Sequence, residues 1–288
     1  MSTLTKQILN VFKLRIGVVI AFTALTGLAV APGPHLPAWK IIVIGLTVLL
    51  SAAAAGAFNQ YVERDLDIKM ARTKRRPFVT GSLVHGPAWL WLIGIMVAGS
   101  TLASAWALNA VAAFYVFLGA FFYAVVYTVW LKRRTWLNIV VGGLAGSFAV
   151  LAGAAAVTPH FDALTLSLAF ILFLWTPPHF WSLAIACHDD YAAAHVPMLP
   201  VVIGQKAAAR VVLGNTIALV CASLLPAWFG AGPAYLAGAM TGGIYFLLKS
   251  IRLAREPNRE NAMSNFHASL LQLTLLLIAA IVDAVWMH

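Results

Sequence analysis

The 288-residue sequence has little charge, few acidic residues and almost no cysteine. Only 10% of its residues are charged, whereas 62% are hydrophobic and the mean hydropathy is +0.89. Soluble globular domains contain roughly 45–50% apolar residues, so an ordinary soluble domain is excluded. Two cysteines exclude a disulfide framework and a metal site with four cysteine ligands. The composition predicts a polytopic membrane protein.

Apolar runs of about 20 residues, the length that a bilayer-spanning helix needs, recur along the chain. The first run is followed directly by a longer one and shows no signal-peptide cleavage site, so we expect it to remain as a span. We predict an all-α protein with nine transmembrane helices and a single domain, residues 1–288. The expected spans are 16–31, 40–59, 88–107, 110–131, 136–157, 164–187, 207–228, 231–249 and 266–287.

The basic residues are segregated along these spans. Eighteen of the 19 Lys and Arg lie in the N-terminal segment or in the loops after the second, fourth, sixth and eighth spans, and Lys40 alone lies opposite. Lys and Arg accumulate in cytoplasmic loops, so we expect a cytoplasmic N-terminus, cytoplasmic loops after the even-numbered spans, and a C-terminus outside. Topology and contact with anionic lipid therefore explain the net charge of +10, and no nucleic-acid partner is expected.

A first acidic cluster stands in the stretch "NQYVERDLDIKMARTKRRP". Asn59, Glu63 and Asp67 are four residues apart, so they share a face if the second helix continues to Asp67. Like charges at this spacing repel, and a divalent cation would reverse that repulsion. Mg²⁺ prefers oxygen ligands and often binds carboxylates together with substrate phosphates, which the basic run 72–76 could also contact. The alternative is a solvated loop whose basic residues only mark topology.

A second cluster follows the sixth span in "ACHDDYAAAHVPMLPVVIGQK". Asp189 and Asp190 are adjacent and face different directions on a helix, so one could bind a metal while the other caps a segment or pairs with Lys206. His188 and His195 flank the pair as ligands or proton carriers, or as structural residues.

Three further features lie in or beside the predicted membrane core. His179 follows Pro177 and Pro178, whose helix kink frees carbonyl groups, and it could act in the reaction or bind a freed carbonyl. A second feature is the aromatic stripe on the fourth helix, which suits core packing or a wall around a cationic intermediate; its members are Tyr115, Tyr123 and Tyr127. The basic run 132–134 could reach a diphosphate or mark topology.

The two acidic motifs resemble those of the UbiA-type intramembrane prenyltransferases. Within that family, the segments "NQYVERDLDIKMARTKRRP", "YTVWLKRRTWLNIVVGG", "WTPPHFWSLAI" and "DDYAAAHVPMLPVV" are similar to those of members that farnesylate haem. Gln60 stands where Asp is common in the family, and Ile185 and Ala186 stand where a further Asp usually precedes the second pair. The resemblance covers nearly the whole chain.

The resemblance implies a horseshoe of helices around a central cavity in a bacterial inner membrane. It implies transfer of farnesyl from farnesyl diphosphate to a vinyl group of haem b with addition of water, with Mg²⁺ as cofactor and a haem A synthase as a partner. The implied metal ligands are Asn59, Glu63, Asp67 and Asp190, and Asp189 joins them as catalytic. The implied diphosphate-binding residues are Arg72, Lys74, Arg75, Arg76, Lys132, Arg133 and Lys206. The implied haem or isoprenoid cavity residues are His179, His188, His195, Tyr123, Tyr127, Tyr191 and Arg210.

Two other functions remain open at this point. A transporter of haem or isoprenoid would share the proline-interrupted helix, although its coupling charges should lie near mid-membrane rather than at one surface. A prenyltransferase of the same type could instead use an aromatic quinone precursor as its acceptor.

Overall fold

The computed structural model describes residues 3–287, and these contain helices and no strand. Residues 1, 2 and 288, which end the predicted domain, lie outside the described part. The first eight helices are α1 (Thr3–Val11), α2 (Leu14–Val30), α3 (Ala38–Val62), α4 (Arg64–Lys69), α5 (Pro77–Thr80), α6 (Ala88–Ala107), α7 (Ala110–Phe121) and α8 (Asn138–Gly142). The others are α9 (Leu144–Val157), α10 (Ala163–Ala186), α11 (His188–Ala193), α12 (Leu199–Ile203), α13 (Gln205–Ala222), α14 (Leu225–Trp228), α15 (Pro233–Arg255) and α16 (Arg259–Met287).

Seven long helical segments in the described chain are apolar enough to cross a membrane, and α1 with α2 forms an eighth that is bent by 45°. The all-α polytopic prediction is confirmed, but the count of nine is not. The difference lies in α15, which has 23 residues, enough for a span, but is not among the sufficiently apolar helices. It includes three glycines and three basic residues, which lower its hydropathy.

The long helices pack in chain order around the molecule. Each of α2, α3, α6, α7, α9, α10, α13, α15 and α16 contacts the next, and α16 returns to contact α2. Additional contacts of α2 with α9 and of α10 with α16 divide the ring into two lobes. Sequential packing is what a horseshoe of helices requires, and the α2–α16 contact brings its two ends together.

Glycines allow α2 to pack closely on α9. A Cβ atom at Gly27 would meet the backbone of Val150, and one at Gly153 would meet the backbone of Ala24. Small residues of this kind let membrane helices approach each other at their backbones. The contact fixes α2, whose N-terminal end carries Lys13 into the interior.

The two prolines lie inside an unbroken α10. Pro178 has no N–H to offer the carbonyl of Leu174, and the Asn215 side chain of α13 donates to that carbonyl at 3.2 Å. The Ser182 hydroxyl donates to the Pro178 carbonyl at 2.5 Å. Polar groups on α10 and α13 therefore stabilise the helix at this point, as expected for freed carbonyls in a membrane.

Candidate functional site

The first acidic cluster forms a buried row of oxygen ligands at the end of α3. The Glu63 N–H donates to the Asn59 carbonyl at 3.0 Å, and the Asp67 N–H donates to the Glu63 carbonyl at 2.8 Å. This i to i−4 pattern continues through the junction of α3 and α4, so all three side chains share one face. Each of the three residues is 2% exposed.

Each member of this row contacts a different cation. Lys132 Nζ lies 2.6 Å from both carboxylate oxygens of Glu63. Arg76 Nη1 donates to both carboxylate oxygens of Asp67, at 2.8 and 2.7 Å. The third cation, Lys13, donates from Nζ to Asn59 Oδ1 at 2.7 Å. Three basic side chains therefore surround the two carboxylates and the amide of the row.

Lys13 is the site residue that the sequence analysis missed. It counted there only as a topology marker, because a lysine ahead of a first span is typical of any cytoplasmic N-terminus. Its partner Asn59 is 46 residues away. The backbone of Lys13 is left-handed, with φ 48°, at the bend between α1 and α2. No local pattern in the sequence indicates this contact.

Burial and hydrogen bonding separate two neighbouring aspartates on α4. Burial raises the pKa of the Asp67 carboxyl above its ordinary value, although Arg76 contacts it. By contrast, a hydrogen bond from Arg133 lowers the pKa of Asp65, which lies exposed on the opposite face. Asp67 is thus held in a poorly solvated site where a positively charged ligand would stabilise its ionised form.

Two tyrosines form one wall of the site. The segment Phe122–Leu131 continues α7 as a π-helix, in which Tyr123 and Tyr127 stack with ring centroids 5.5 Å apart. Lys13 lies 5.8 Å from the Tyr123 centroid, and Lys132 lies 5.7 Å from that of Tyr127. Tyr115 packs instead against Phe114, Phe148 and Phe161. The predicted stripe of three is therefore divided between core and site.

The second acidic cluster contacts the loop that follows the first. Asp190 accepts hydrogen bonds from the backbone N–H groups of Ala71 and Arg72, at 2.8 and 3.2 Å. Tyr191 is buried, and its hydroxyl lies 3.5 Å from Arg72 Nη2. The two motifs are thus joined, with Asp190 in a capping role.

Asp189 differs from its neighbour. Its side chain is fully exposed and pairs only with His188, at 3.1 Å. No ion pair joins either aspartate to Lys206 in the described chain. The structure therefore does not bring Asp189 to the buried row.

The basic residues expected at the diphosphate fall into two groups. Arg76 and Lys132 contact the buried row, whereas Arg133 pairs with Asp65 at the surface. The remaining members are exposed: Arg72, Lys74, Arg75 and Lys206. Arg210, which was expected in the haem or isoprenoid cavity, is exposed as well. The exposed loop residues 72, 74 and 75 are adjacent to Arg76, whereas Lys206 and Arg210 lie on α13.

The three histidines also have separate environments. His179 is buried, its Nδ1 lies 2.7 Å from the Ser269 hydroxyl, and its ring stacks on Trp175 and Phe266. The expected bond to a freed carbonyl is absent among the described contacts of His179. His195 is exposed with a φ of 53°. His188 is partly buried and pairs with Asp189, so the three histidines occupy an interior, a partly buried and an exposed position.

The donor chemistry of the buried row fits Mg²⁺. Glu63 and Asp67 offer carboxylate oxygens, and Asn59 offers Oδ1 because its Nδ2 donates to the Thr128 hydroxyl at 3.1 Å. Basic side chains contact these oxygens, in the place that a metal ion would take. Within residues 3–287 no three His, Cys, Asp or Glu side chains lie close enough to hold a metal by themselves. Mg²⁺ commonly takes one or two protein carboxylates and completes its shell with water and substrate phosphate, so this set suffices.

Comparison with known proteins assigns the fold and the chemistry. The model of the UbiA prenyltransferase family matches residues 20–276. The chain belongs to the UbiA prenyltransferase family. It is therefore a membrane-embedded transferase, and the predicted family resemblance is confirmed.

Curated relatives cover nearly the whole chain. Protoheme IX farnesyltransferase 2 of Paramagnetospirillum magneticum is 58% identical, with 98% of both chains covered. Protoheme IX farnesyltransferase 1 of the same organism is 46% identical over 98% of this chain and 99% of its own. Protoheme IX farnesyltransferase 1 of Cenarchaeum symbiosum is 38% identical over 97% and 96%.

Solved structures of UbiA proteins share the fold. A structure described as digeranylgeranylglyceryl phosphate synthase superposes with a TM-score of 0.79 at 18% identity, covering 98% of this chain and 99% of its own. A UbiA homolog from Archaeoglobus fulgidus, bound to DMAPP and Mg²⁺, gives a TM-score of 0.76 at 15% identity, covering 96% and 99%. These likenesses show that the chain has the fold of the solved UbiA structures.

Proposed function

We propose that this UbiA-family protein transfers a farnesyl group from farnesyl diphosphate to a vinyl group of haem b. Water adds to the same vinyl group, and the products are haem O and diphosphate. The observation that carries the chemistry is the buried row of three oxygen ligands, each matched to its own cation. The haem acceptor is supported by the curated relatives, which are named protoheme IX farnesyltransferases at up to 58% identity.

The buried row is proposed as the magnesium site. Asn59, Glu63 and Asp67 would hold Mg²⁺, and Asp190 would approach it from the second motif. Bound Mg²⁺ supplies positive charge that stabilises the departing diphosphate. Asp189, which we had expected to be catalytic, has no such contact and is proposed to act only at the surface.

The cations would exchange partners when substrate binds. Lys13, Arg76 and Lys132 now neutralise the row, and their charges are available to phosphate oxygens once a metal takes their place. Arg binds phosphate in bidentate fashion, and preorganised positive charge stabilises negative charge as it develops on the leaving group. The exposed set Arg72, Lys74, Arg75 and Arg133 would guide the diphosphate to the site, with Lys206 further away on α13.

The apolar helices would protect the allylic cation from water. Tyr123 and Tyr127 present stacked rings beside the charged row, and an aromatic face attracts a nearby cation. A site that excludes water prevents premature hydrolysis of a reactive intermediate. No activated serine or cysteine is required, because the π electrons of the vinyl group are the nucleophile.

The acceptor end of the site is proposed to lie near α10 and α11. Tyr191 and His188 are at the cytoplasmic end, His179 is inside, and His195 and Arg210 are exposed near the same end. Arg210 would meet a haem propionate. The His179 ring is fixed by stacking on Trp175 and Phe266. A ring held in one orientation suits a position beside the acceptor.

The setting is a bacterial inner membrane with a cytoplasmic N-terminus and catalytic loops, and with the C-terminus outside. We propose a single domain over the chain and a haem A synthase as the partner that consumes the product. A quinone-precursor acceptor and a transporter remain the rival functions, and the relatives favour neither.

The test is a turnover assay in lipid vesicles. Purified protein receives haem b, farnesyl diphosphate and Mg²⁺, with EDTA added to a parallel sample, and the haem is analysed by mass. We expect a gain of farnesyl plus water that EDTA abolishes. Unchanged haem, with farnesyl transferred to an aromatic acceptor, would overturn the haem assignment. No consumption of farnesyl diphosphate with any acceptor would favour transport.

A further inference from the structure

Three polar side chains form a row along one face of α16. Asn265, Ser269 and Gln272 follow one another at helical spacing, and all three are 0% exposed. Polar groups inside a membrane domain are costly and mark functional positions by default. The hydrogen-bond partners of each side chain show whether contacts between helices account for its burial.

Asn265 is fully explained by packing. Its Oδ1 accepts from Ser250 on α15 at 2.9 Å, and its Nδ2 donates to Ser182 on α10 at 2.9 Å. Ser250 in turn lies 3.0 Å from the hydroxyl of Thr216 on α13. This network joins four helices, and every contact in it is structural.

Gln272 is not explained in this way. Neither its amide oxygen nor its amide nitrogen has a hydrogen-bond partner in the described chain. Gly242 of α15 lies so close that a Cβ there would be 2.9 Å from the Gln272 Cα, so the helix backbones are in contact beside it. A glutamine amide can donate two hydrogen bonds and accept two, and buried polar groups of this kind bind ordered water.

His179 of α10 contacts this row through Ser269. Ser269 precedes Gln272 by one helical turn and contacts His179 Nδ1, while Trp175 and Phe266 hold the ring at centroid distances of 4.2 and 4.4 Å. The other ring nitrogen, Nε2, makes no hydrogen bond to any residue within 3–287. His179 therefore keeps a fixed orientation in which Nε2 can accept a hydrogen bond.

Two glycines link the helix of His179 with the tyrosine wall. Thr176 lies one turn before His179 and packs against Gly143, where a Cβ would come within 2.9 Å of the Thr176 Cβ. The neighbouring Gly142 packs against Tyr127, at 2.9 Å by the same measure. The histidine thus lies next to the helices that border the proposed site.

We propose that Gln272 and His179 bind the water molecule that is added to the vinyl group. The inference rests on the proposed function, which consumes one water in a cavity that must otherwise exclude it. A single water held by an amide and an imidazole reconciles these two requirements, because it is delivered at the acceptor and kept away from the farnesyl cation.

The step balances without a further reactant. The bond between farnesyl C1 and the diphosphate oxygen breaks, and its electron pair leaves with the diphosphate. The vinyl π pair forms the new carbon–carbon bond to C1, which leaves a cation on the vinyl carbon attached to the porphyrin. The water oxygen donates a lone pair to that carbon, and the released proton goes to the departing diphosphate, while Nε2 of His179 holds the water by accepting its hydrogen bond.

The test is Gln272→Leu with Thr274→Val as its control. Leucine removes the unpaired amide at similar volume, so the variant should fold at least as stably. Thr274 is an exposed neighbour on α16 whose hydroxyl contacts only the Leu270 carbonyl. A second variant, Ser269→Ala, releases the contact that orients His179. Each is given haem b and farnesyl diphosphate in water labelled with ¹⁸O.

Without the bound water, the vinyl cation loses a proton, and the product is farnesylated haem that is lighter by one water. We expect the proportion of this product to rise by roughly fivefold to tenfold in Gln272→Leu, as loss of one hydrogen bond predicts. It should rise in Ser269→Ala and stay unchanged in Thr274→Val. A wild-type product ratio in both test variants would overturn the inference. No farnesylation of haem by the wild type would overturn the proposed function itself.

Discussion

Lys132 Nζ lies 2.6 Å from both carboxylate oxygens of Glu63, and the two side chains are 10% and 2% exposed. They come from segments 69 residues apart in the chain. Burying two charges is costly, and their mutual attraction repays that cost only when both are present. The pair therefore favours a binding function over a purely stabilising one.

Removal of one partner should destabilise the protein strongly. Lys132→Met leaves Glu63 buried without a counter-charge, which costs about 3–5 kcal/mol. The double variant Glu63→Gln with Lys132→Met should recover most of this loss, since both charges are gone, yet its transfer rate should remain roughly 10²–10³-fold below the wild type. Thermal unfolding in detergent and the turnover assay measure the two effects. A double variant with wild-type activity would exclude the pair from the site.

Two aspartates on α4 provide a matched comparison. Asp67→Asn keeps the shape of a buried ligand but removes its charge, so we expect transfer to fall by at least about 10²-fold while the protein still folds and inserts. Asp65→Asn breaks only a surface pair with Arg133, which contributes about 0–1 kcal/mol, and should leave activity unchanged. The comparison is made at saturating Mg²⁺. Near-normal turnover of Asp67→Asn there would contradict the metal-site proposal.

Adjacent aspartates in the second motif should behave differently. Asp190→Ala removes the acceptor of the Ala71 and Arg72 N–H groups, and loss of hydrogen bonds to a charged group costs about 1.5–3 kcal/mol. We expect kcat/KM for farnesyl diphosphate to fall roughly 10- to 100-fold, and trypsin to cut the loop 72–75 more readily. Asp189→Ala should change neither quantity by more than about twofold, since surface substitutions have small effects. Equal effects of the two variants would disprove the capping role of Asp190.

Local geometry explains what could be predicted from the sequence. The face shared by Asn59, Glu63 and Asp67 follows from residues four apart on a helix, and no distant contact is needed to infer it. The membrane class follows from composition in the same way. Helix α15 shows where prediction from composition is limited. The apolar run 231–249 predicts a span there, but α15 is not among the helices that are sufficiently apolar.

The remainder depends on contacts that the sequence pattern does not encode. Lys13 reaches Asn59 from another helix, and nothing near Lys13 distinguishes it from a topology marker. The π-helix alters the rotation of Tyr123 and Tyr127 relative to Tyr115, which defeats a stripe inferred from α-helical spacing. The spacing of Asp189 and Asp190 does not say which of them caps a segment, whereas the hydrogen bonds of Asp190 to the loop backbone do.

Gly142 and Gly146, which follow the tyrosine wall in the chain, differ in the space around them. The spacing Gly142-xxx-Gly146 suggests one close-packed helix face, but only Gly142 is crowded, and a Cβ there would lie 2.9 Å from the Tyr127 ring. Gly142→Ala should therefore displace Tyr127 from Lys132 and lower the rate of farnesyl transfer severalfold. Gly146 has open space around it, so Gly146→Ala should leave the rate unchanged and stabilise the helix by about 0.5–1 kcal/mol. Turnover and thermal unfolding of the two variants test this. If both alanines lower turnover equally, general helix packing rather than the position of Tyr127 controls the rate.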